Sequence, residues 1–288
     1  MNTHDGASAP ASSLFPTLRD IWRLARARLL RPLLHPLYWI YERRLVGQIA
    51  SGPVPAHIGL ILDGNRRYAR GIGLAARLGH EYGVEKLREV LEWCLGLGVG
   101  HVTLFVFSTE NFRRPSEEVD YILELFVQES ARLLEDPRIK SARVRVRVIG
   151  QRDRLPAHVN TATETLELST ADHDGMLLTI ALAYGGREEI ADAVKDMLKE
   201  AIEQGRSIAS LIEEMSADAL ERHLYTSGVP DPDFIIRTSG EQRLSGFLLW
   251  QSAYSEFHFV DALWPAFRRI DFLRAVRDYQ RRERRYGR

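Results

Sequence analysis

Several things are scarce or missing in this chain of 288 residues. A single cysteine, Cys94, excludes an internal disulfide and any zinc centre built from several thiolates, and it fits a reducing compartment. No apolar run approaches the ~20 residues that a membrane-crossing helix needs. Net charge is absent too: 39 basic side chains balance 39 acidic ones, so nothing draws the whole molecule to nucleic acid. There is no G-x-x-x-x-G-K-[ST] loop and no G-x-G-x-x-G turn, which argues against a P-loop enzyme and a dinucleotide fold. No serine elbow is present either, which counts against a Ser–His–Asp hydrolase. The start of the chain lacks the basic, apolar and cleavage regions of a secretory signal, so the expected location is the cytoplasm.

What is present falls into three stretches. Residues 1–13 are rich in Ser, Ala and Pro and read as a disordered tail. Residues 14–50 form a basic amphipathic extension. In it Leu18, Ile21, Trp22, Ala25, Leu29 and Leu30 recur at helical spacing among Arg19, Arg23, Arg26, Arg28 and Arg31. For 14–36, peripheral contact with the anionic inner face of the cell membrane is one expectation; packing on the domain or a partner subunit is the other. For 37–49, with Tyr38, Trp39 and Tyr41, packing on the domain is expected. Ser51-Gly52-Pro53 then opens the main domain, 51–288.

Within that domain, apolar runs alternate with amphipathic stretches. Ile58–Leu62, Val102–Phe107, Arg143–Ile149, Met176–Ala183 and Phe234–Ile236 read as strands, with Ser255–Val260 a candidate sixth. Helices are expected around Val84–Leu95 (ended by Gly96, Gly98 and Gly100), after an N-cap at Ser116, over Glu188–Gln204, after a cap at Ser216, and over Asp271–Arg284. The alternation predicts an α/β fold: a mostly parallel central sheet of about six strands with helices on both faces. Cys94 falls on the apolar face of its helix and is expected to be buried.

Three strands run directly into polar clusters: Asp63 to Arg67, Ser108 to Arg114, and Arg237 to Ser245. In a parallel sheet these would share the carboxyl edge, where open α/β sheets bind ligands. The inventory there is Asp63, Gly64, Asn65, Arg66, Arg67, Ser108, Glu110, Asn111, Arg114, Arg237, Arg243 and Ser245, with Glu256 a further candidate. Several arginines, hydroxyls and a few carboxylates suit two polyanions and an oxygen-bound cation. The residues by themselves reach a Mg²⁺-dependent enzyme of diphosphates, with a phosphate-ester hydrolase as a competing reading.

Residue identity goes further. His57 to Arg70, Gly79-His80, Phe107 to Phe112, Arg114-Pro115, Ala183 to Arg187 and Ile236 to Glu256 together resemble the cis-prenyltransferases, the (Z)-isoprenyl diphosphate synthases that include undecaprenyl diphosphate synthase. The resemblance spans roughly 37–288 and looks closest to the actinobacterial short-chain members. It implies Mg²⁺-assisted condensation of isopentenyl diphosphate with an allylic diphosphate, geranyl or farnesyl, to a Z-configured product. The absence of an Asp-Asp pair separates the chain from trans-type synthases.

The resemblance also implies roles. Asp63 would be the essential residue handling Mg²⁺, with Glu256 a second ligand. Gly64, Asn65, Arg66 and Arg67 would hold the allylic diphosphate, with His80 assisting. Ser108 and Asn111 would stand near proton removal, beside Glu110, Phe112 and Arg114. Arg237, Arg243 and Ser245 would take isopentenyl diphosphate, and Arg285 and Gly287 would reach the site of the other subunit in a homodimer. One position departs: where the family has an arginine four residues before the histidine, this chain has Ala76, and Arg77 follows. Val106 matches a position where bulk shortens the product, so a short or medium chain is expected, with a long one left open. Other expected tunnel walls are Leu91, Leu123, Phe126, Val146 and Val148. The alternative reading is a non-catalytic accessory subunit of a two-protein synthase, against which Asp63, Arg237 and Arg243 are all retained.

Overall fold

The computed structural model describes residues 38–281; the expectations placed on 1–37, Arg285 and Gly287 lie outside them. The chain enters through helix α1 (38–49), whose Leu45 and Ile49 are buried in the main core. Then come β1 (His57–Ile61), α2 (Asn65–Gly71), α3 (Leu78–Leu97), β2 (His101–Ser108), α4 (Ser116–Glu135), α5 (Pro137–Ser141), β3 (Arg145–Ile149), α6 (Ala157–Leu168), β4 (Leu177–Tyr184), α7 (Gly186–Glu203), α8 (Ile208–Glu214), α9 (Ala217–Glu221), β5 (Phe234–Arg237), β6 (Glu256–Phe259) and α10 (Arg269–Arg281).

All six strands are parallel, in the order β3-β4-β2-β1-β5-β6. The sheet class and the sixth strand are as the sequence reading expected. Strand alternation sends Ile58, Leu60, Val102, Leu104, Leu178, Ile180, Phe234 and Ile236 to one face, where they join α1, α3, α4, α6 and α10 in the large core. Ile61, Ile149, Ala181 and Ile235 face the other way, onto Phe247, Leu248 and Tyr184. Every residue of β1 is buried, as a central strand covered on both faces requires. Cys94 is fully buried on α3, and burial pushes its thiol up to about 12.

Local signals were legible to different degrees. Ser216 does cap α9 through the Ala219 N–H, and Gly98, at φ 75°, does end α3. Ser116 does not cap α4: Pro115 holds the cap position in extended backbone and Ser116 is already helical. Ser108 forms a capping box with Asn111 at the start of a separate short 3-10 helix, Thr109–Arg113.

One irregularity positions a wall of the site. Between β2 and β4, Phe105 pairs with Ala181 and Phe107 with Leu182, so Val106 is an extra residue in β2. Such a bulge re-aims a side chain. Here Val106 is turned into the cavity described below, while Phe107 stays buried against Phe112 at 4.9 Å between ring centres.

Candidate active site

The carboxyl ends of β1 and β5 are tied together before any charge is considered. The Thr238 hydroxyl donates to Asp63 O at 2.7 Å and accepts from the Asp63 N–H at 3.1 Å. Gly64 follows at φ 110°, a conformation L side chains rarely adopt, and a Cβ there would lie 2.9 Å from Leu263. The chain therefore turns at once into α2, bringing Asn65, Arg66 and Arg67 beside the end of the strand.

Two ionic groups result. In the first, Arg237, only 4% exposed, donates from Nη2 to Asp63 Oδ2 at 2.9 Å and from Nη1 to Ser245 Oγ at 2.9 Å and to the Arg243 carbonyl. Arg67 stands 3.8 Å from Asp63 Oδ1 and 3.6 Å from Glu241. Partial burial would raise the Asp63 pKa, but the Arg237 hydrogen bond and the charges of Arg237 and Arg67 outweigh it and hold the carboxyl below its usual value. Arg243 itself is exposed, its guanidinium 2.5 Å from Glu241.

In the second group, Glu118 at the start of α4 gathers two arginines and a histidine from three segments. Arg114 lies at 3.0 Å, Arg66 at 3.5 Å and His80 Nε2 at 3.7 Å. Burial foremost, then the Arg114 charge, lowers the His80 pKa and favours the neutral ring. Arg66 and Arg67, consecutive on α2, each belong to one of the two groups and so hold them side by side. In sequence Glu118 is simply an acid in the first turn of α4. The convergence of α2, α3 and α4 on it has no local sequence signal.

Buried polar atoms are normally hydrogen-bonded. Here Asn65 Oδ1, His80 Nε2 and Arg237 Nε have no hydrogen-bond partner. Asn65 is fixed by its Nδ2 donating to Leu62 O at 3.3 Å. Asn111 Oδ1 accepts from the Ser108 N–H at 3.1 Å, which sets both residues at the end of β2. Phe112 lies under Arg154, whose guanidinium carbon is 4.3 Å from the ring centre. Glu110 and Arg77 are exposed.

Not every candidate joins the cluster. Glu256 opens β6 in register with Phe234, whereas Arg237 is paired with Phe259. Three residues of strand, about 10 Å, thus separate Glu256 from the level of Arg237. It sits at the amino edge of the sheet, and within one chain it does not share the site of Asp63. Among the described residues no group of three or more His, Cys, Asp or Glu side chains could cage a metal. The donor set at Asp63, one ionised carboxylate among arginines, instead fits a Mg²⁺ held by that carboxylate together with phosphate oxygens.

A second missed residue, Glu189 on α7, is fully buried and accepts from the Tyr184 hydroxyl at 2.5 Å and from Gln251 at 3.1 Å. With Gly186 N–H donating to Gly246 O at 2.8 Å, it anchors the far end of the loop that carries Arg243 and Ser245. Ser239 and Ser245 have φ of 82° and 51° in that loop, so it is held in strained backbone.

From the ionic groups an apolar cavity of 610 Å³ leads down between the sheet and helices α3 and α4. Leu62, Asn65 and His80 form its upper end, and Leu87, Leu91, Leu104, Val106, Ile122 and Phe126 its walls. Of the expected wall residues, Leu91, Val106 and Phe126 line it. Leu123, Val146 and Val148 do not; they are buried in the core behind it.

Comparison with known proteins agrees with this architecture. The family model described as "Putative undecaprenyl diphosphate synthase" matches residues 61–287. An isoprenyl transferase of Thermus thermophilus is 60% identical over 91% of this chain and 99% of its own length. Isoprenyl transferase 1 of Streptomyces avermitilis, an actinobacterial relative, is 49% identical over 86% of this chain and 94% of its own. The crystal structure of lavandulyl diphosphate synthase from Lavandula x intermedia, in complex with dimethylallyl diphosphate, superposes with a TM-score of 0.76 at 32% identity, covering 82% of this chain and 99% of that one.

Proposed function

The chain belongs to the cis-prenyltransferases, the undecaprenyl diphosphate synthase family, and on that premise we propose that it is a Mg²⁺-dependent enzyme that joins isopentenyl diphosphate to an allylic diphosphate, geranyl or farnesyl, giving a Z-configured prenyl diphosphate of short to medium length. The carrying observation is a single juxtaposition: an ionised Asp63 bound by Arg237, with the Arg66–Arg114–Glu118 group beside it, stands at the head of a long apolar cavity. A diphosphate head and a hydrocarbon tail need that combination.

In the reaction, the allylic carbon–oxygen bond breaks and its electron pair leaves with diphosphate. The double bond of isopentenyl diphosphate forms the new carbon–carbon bond, and a proton is lost. Arg66, Arg67 and Arg114 hold the allylic diphosphate, and Arg237 and Ser245, with Arg243 at the rim, hold the second substrate. These preorganised donors stabilise the departing charge without having to reorganise. Bound Mg²⁺ would supply further charge neutralisation at the phosphate oxygens, through Asp63. Ser108 and Asn111 lie where the proton departs. The lowered pKa of Asp63 keeps it anionic at neutral pH, the form this role requires.

Homodimerisation, with Arg285 and Gly287 completing the neighbour's site, and peripheral membrane contact through 14–36 belong to the same proposal. The test is incubation of the purified chain with radiolabelled isopentenyl diphosphate, geranyl or farnesyl diphosphate and Mg²⁺, followed by mass spectrometry of the extract. Products growing in five-carbon steps, and lost with EDTA, are expected. No extension of any primer overturns the proposal, and extension only after a second protein is added identifies an accessory subunit instead.

A further inference from the structure

Helix α1 keeps two faces apart. At 3.6 residues per turn, positions 39, 40, 43, 44 and 47 fall within an arc of about 140°, and the buried Leu45 and Ile49 lie on the opposite side. The outward arc carries Trp39, Ile40, Arg43, Arg44 and Gly47, with no acid among them. Trp39 is 52% exposed and Ile40 56%. Large apolar side chains side by side in water mark an interaction surface. Arg43 stacks on the Trp39 ring at 4.2 Å, so ring and charge are presented together.

The last helix extends this face. α10 lies alongside α1 and runs the same way. Near their starts Arg269 pairs with Glu42 at 2.7 Å, and Arg268 stands 5.8 Å from the Tyr38 ring centre. Further along, Arg274 Nε donates to the Tyr41 hydroxyl at 3.3 Å, and Gln280 Nε2 donates to Ile49 O at 3.0 Å. Over α1 and residues 268–281, seven arginines stand against three carboxylates, in a chain whose total charge is balanced. Those carboxylates, Glu42, Asp271 and Asp278, are taken by Arg269, Arg268 and Arg277. Among the described residues, Arg43, Arg44, Arg274 and Arg281 pair with no carboxylate. The aromatic end of the face is also the end nearer the candidate site. Arg268 follows closely on Trp264, whose N–H donates to Asp63 O at 3.0 Å.

We propose that the outward face of α1, with the arginines of α10 beside it, seats the folded domain on an anionic lipid bilayer. The proposal rests on the peripheral contact proposed above for 14–36 and gives that contact a surface on the domain itself. Guanidinium groups pair with lipid phosphates. Tryptophan and tyrosine rings settle at the headgroup level, and Ile40 gains by leaving water for the acyl boundary. Charge disfavours the other occupants. A second copy docked about a twofold axis would bring the same surplus of arginines face to face. The chain's own residues 1–37 carry Arg19, Arg23, Arg26, Arg28 and Arg31 against Asp5 and Asp20. They share the sign of the face and add to it rather than cover it. A nucleic acid would satisfy the arginines but leave Ile40 in water.

The test uses the full chain and two kinds of vesicle, phosphatidylcholine alone and phosphatidylcholine mixed with phosphatidylglycerol. The parent should co-sediment with the mixed vesicles only, and less so as salt is raised. Each arginine near an anionic surface is worth about fivefold in partitioning. The triple variant Arg43→Gln, Arg44→Gln, Arg274→Gln should therefore bind at least about tenfold more weakly, with the parent's melting temperature and the parent's turnover of soluble primers. A second measurement needs only a conservative change: quenching of tryptophan fluorescence by lipids brominated on their acyl chains should fall in Trp39→Phe. If the triple variant binds like the parent, or Trp39→Phe is quenched like the parent, the contact is confined to 14–36 and this proposal is overturned alone. A parent that binds neither vesicle overturns both membrane readings. Retention on heparin without vesicle binding assigns the face to a soluble polyanion, and loss of an oligomer in the triple variant with vesicle binding intact assigns it to a second copy; either result overturns the proposal. Turnover is read separately, so an inactive chain that shows the expected binding shifts loses only the prenyl-transfer reading.

Discussion

At the amino edge of the sheet, His57 has both ring nitrogens engaged, Nδ1 donating to Pro230 O at 2.6 Å and Nε2 accepting from the Thr103 hydroxyl at 2.7 Å. Asp233 beside it accepts from the Ala56 and His57 N–H groups at 2.7 and 3.0 Å. At the carboxyl edge, His80 Nε2 and Arg237 Nε, equally inside the protein, have no hydrogen-bond partner, and two groups of arginines crowd a few carboxylates. The two edges use the same residue types. His57 and Asp233 are completed by the protein, with only His101 Nδ1 beside them lacking a hydrogen-bond partner, whereas His80 and Arg237 keep unfilled positions within the ionic groups. Polar satisfaction, more than residue type, separates His57 from His80.

This contrast can be broken from either side. The largest effect is expected from Asp63→Ala: turnover should drop by at least about 10²–10³-fold, the scale of losing one preorganised group at a reacting centre, while circular dichroism stays native. Retained turnover would remove the carboxyl edge from the chemistry. Next comes His57. Burial lowers its pKa to about 4 from the ordinary 6.5, so the folded state favours the neutral ring. The unfolded chain takes up the proton first as pH falls. His57 thus contributes about 3 kcal/mol that is fully present above pH 6.5 and lost progressively towards pH 4. Denaturant unfolding across that window should show the loss, and His57→Gln should flatten it, lower the melting temperature and leave activity per folded molecule unchanged. A fall in turnover without a fall in stability would erase the distinction between the edges. The smallest effect is expected from Glu118→Gln, which leaves Arg66, Arg114 and His80 without their shared anion. A loss in kcat/KM of about tenfold, the scale of a charge-assisted hydrogen bond, with unchanged melting, fits a positioning role. A lower melting temperature with unchanged kinetics would make Glu118 structural.

The sheet and the first ionic group were legible because their signals are local. Ile58 to Leu62 is a buried run stopped by Asp63-Gly64, and Phe234 to Ile236 delivers Arg237 in the same way. Glu118 and Glu189 were not, because each acts through partners on other elements. Glu118 looks like an ordinary first-turn acid until α2 and α3 close on it. Glu256 shows the converse. It stands in a matching motif, but strand register, which composition does not reveal, sets it at the opposite edge from Asp63. The same limit applies to Val146 and Val148: alternation assigned them to the right face of the sheet, but not to a place beside the cavity.

The crossing of α2 and α3 bears on how the protein could be re-engineered. A Cβ on Gly79 would come within 2.1 Å of Asn65 O, and one on Gly83 within 2.5 Å of Asn65 Oδ1. The two helices meet there backbone to side chain with no slack, directly beneath the residues proposed to hold phosphate. Libraries that aim to reshape the apolar cavity should leave this seam untouched and diversify the α4 wall, where Ile122 and Phe126 present ordinary side chains whose volume can be traded without disturbing the ionic end.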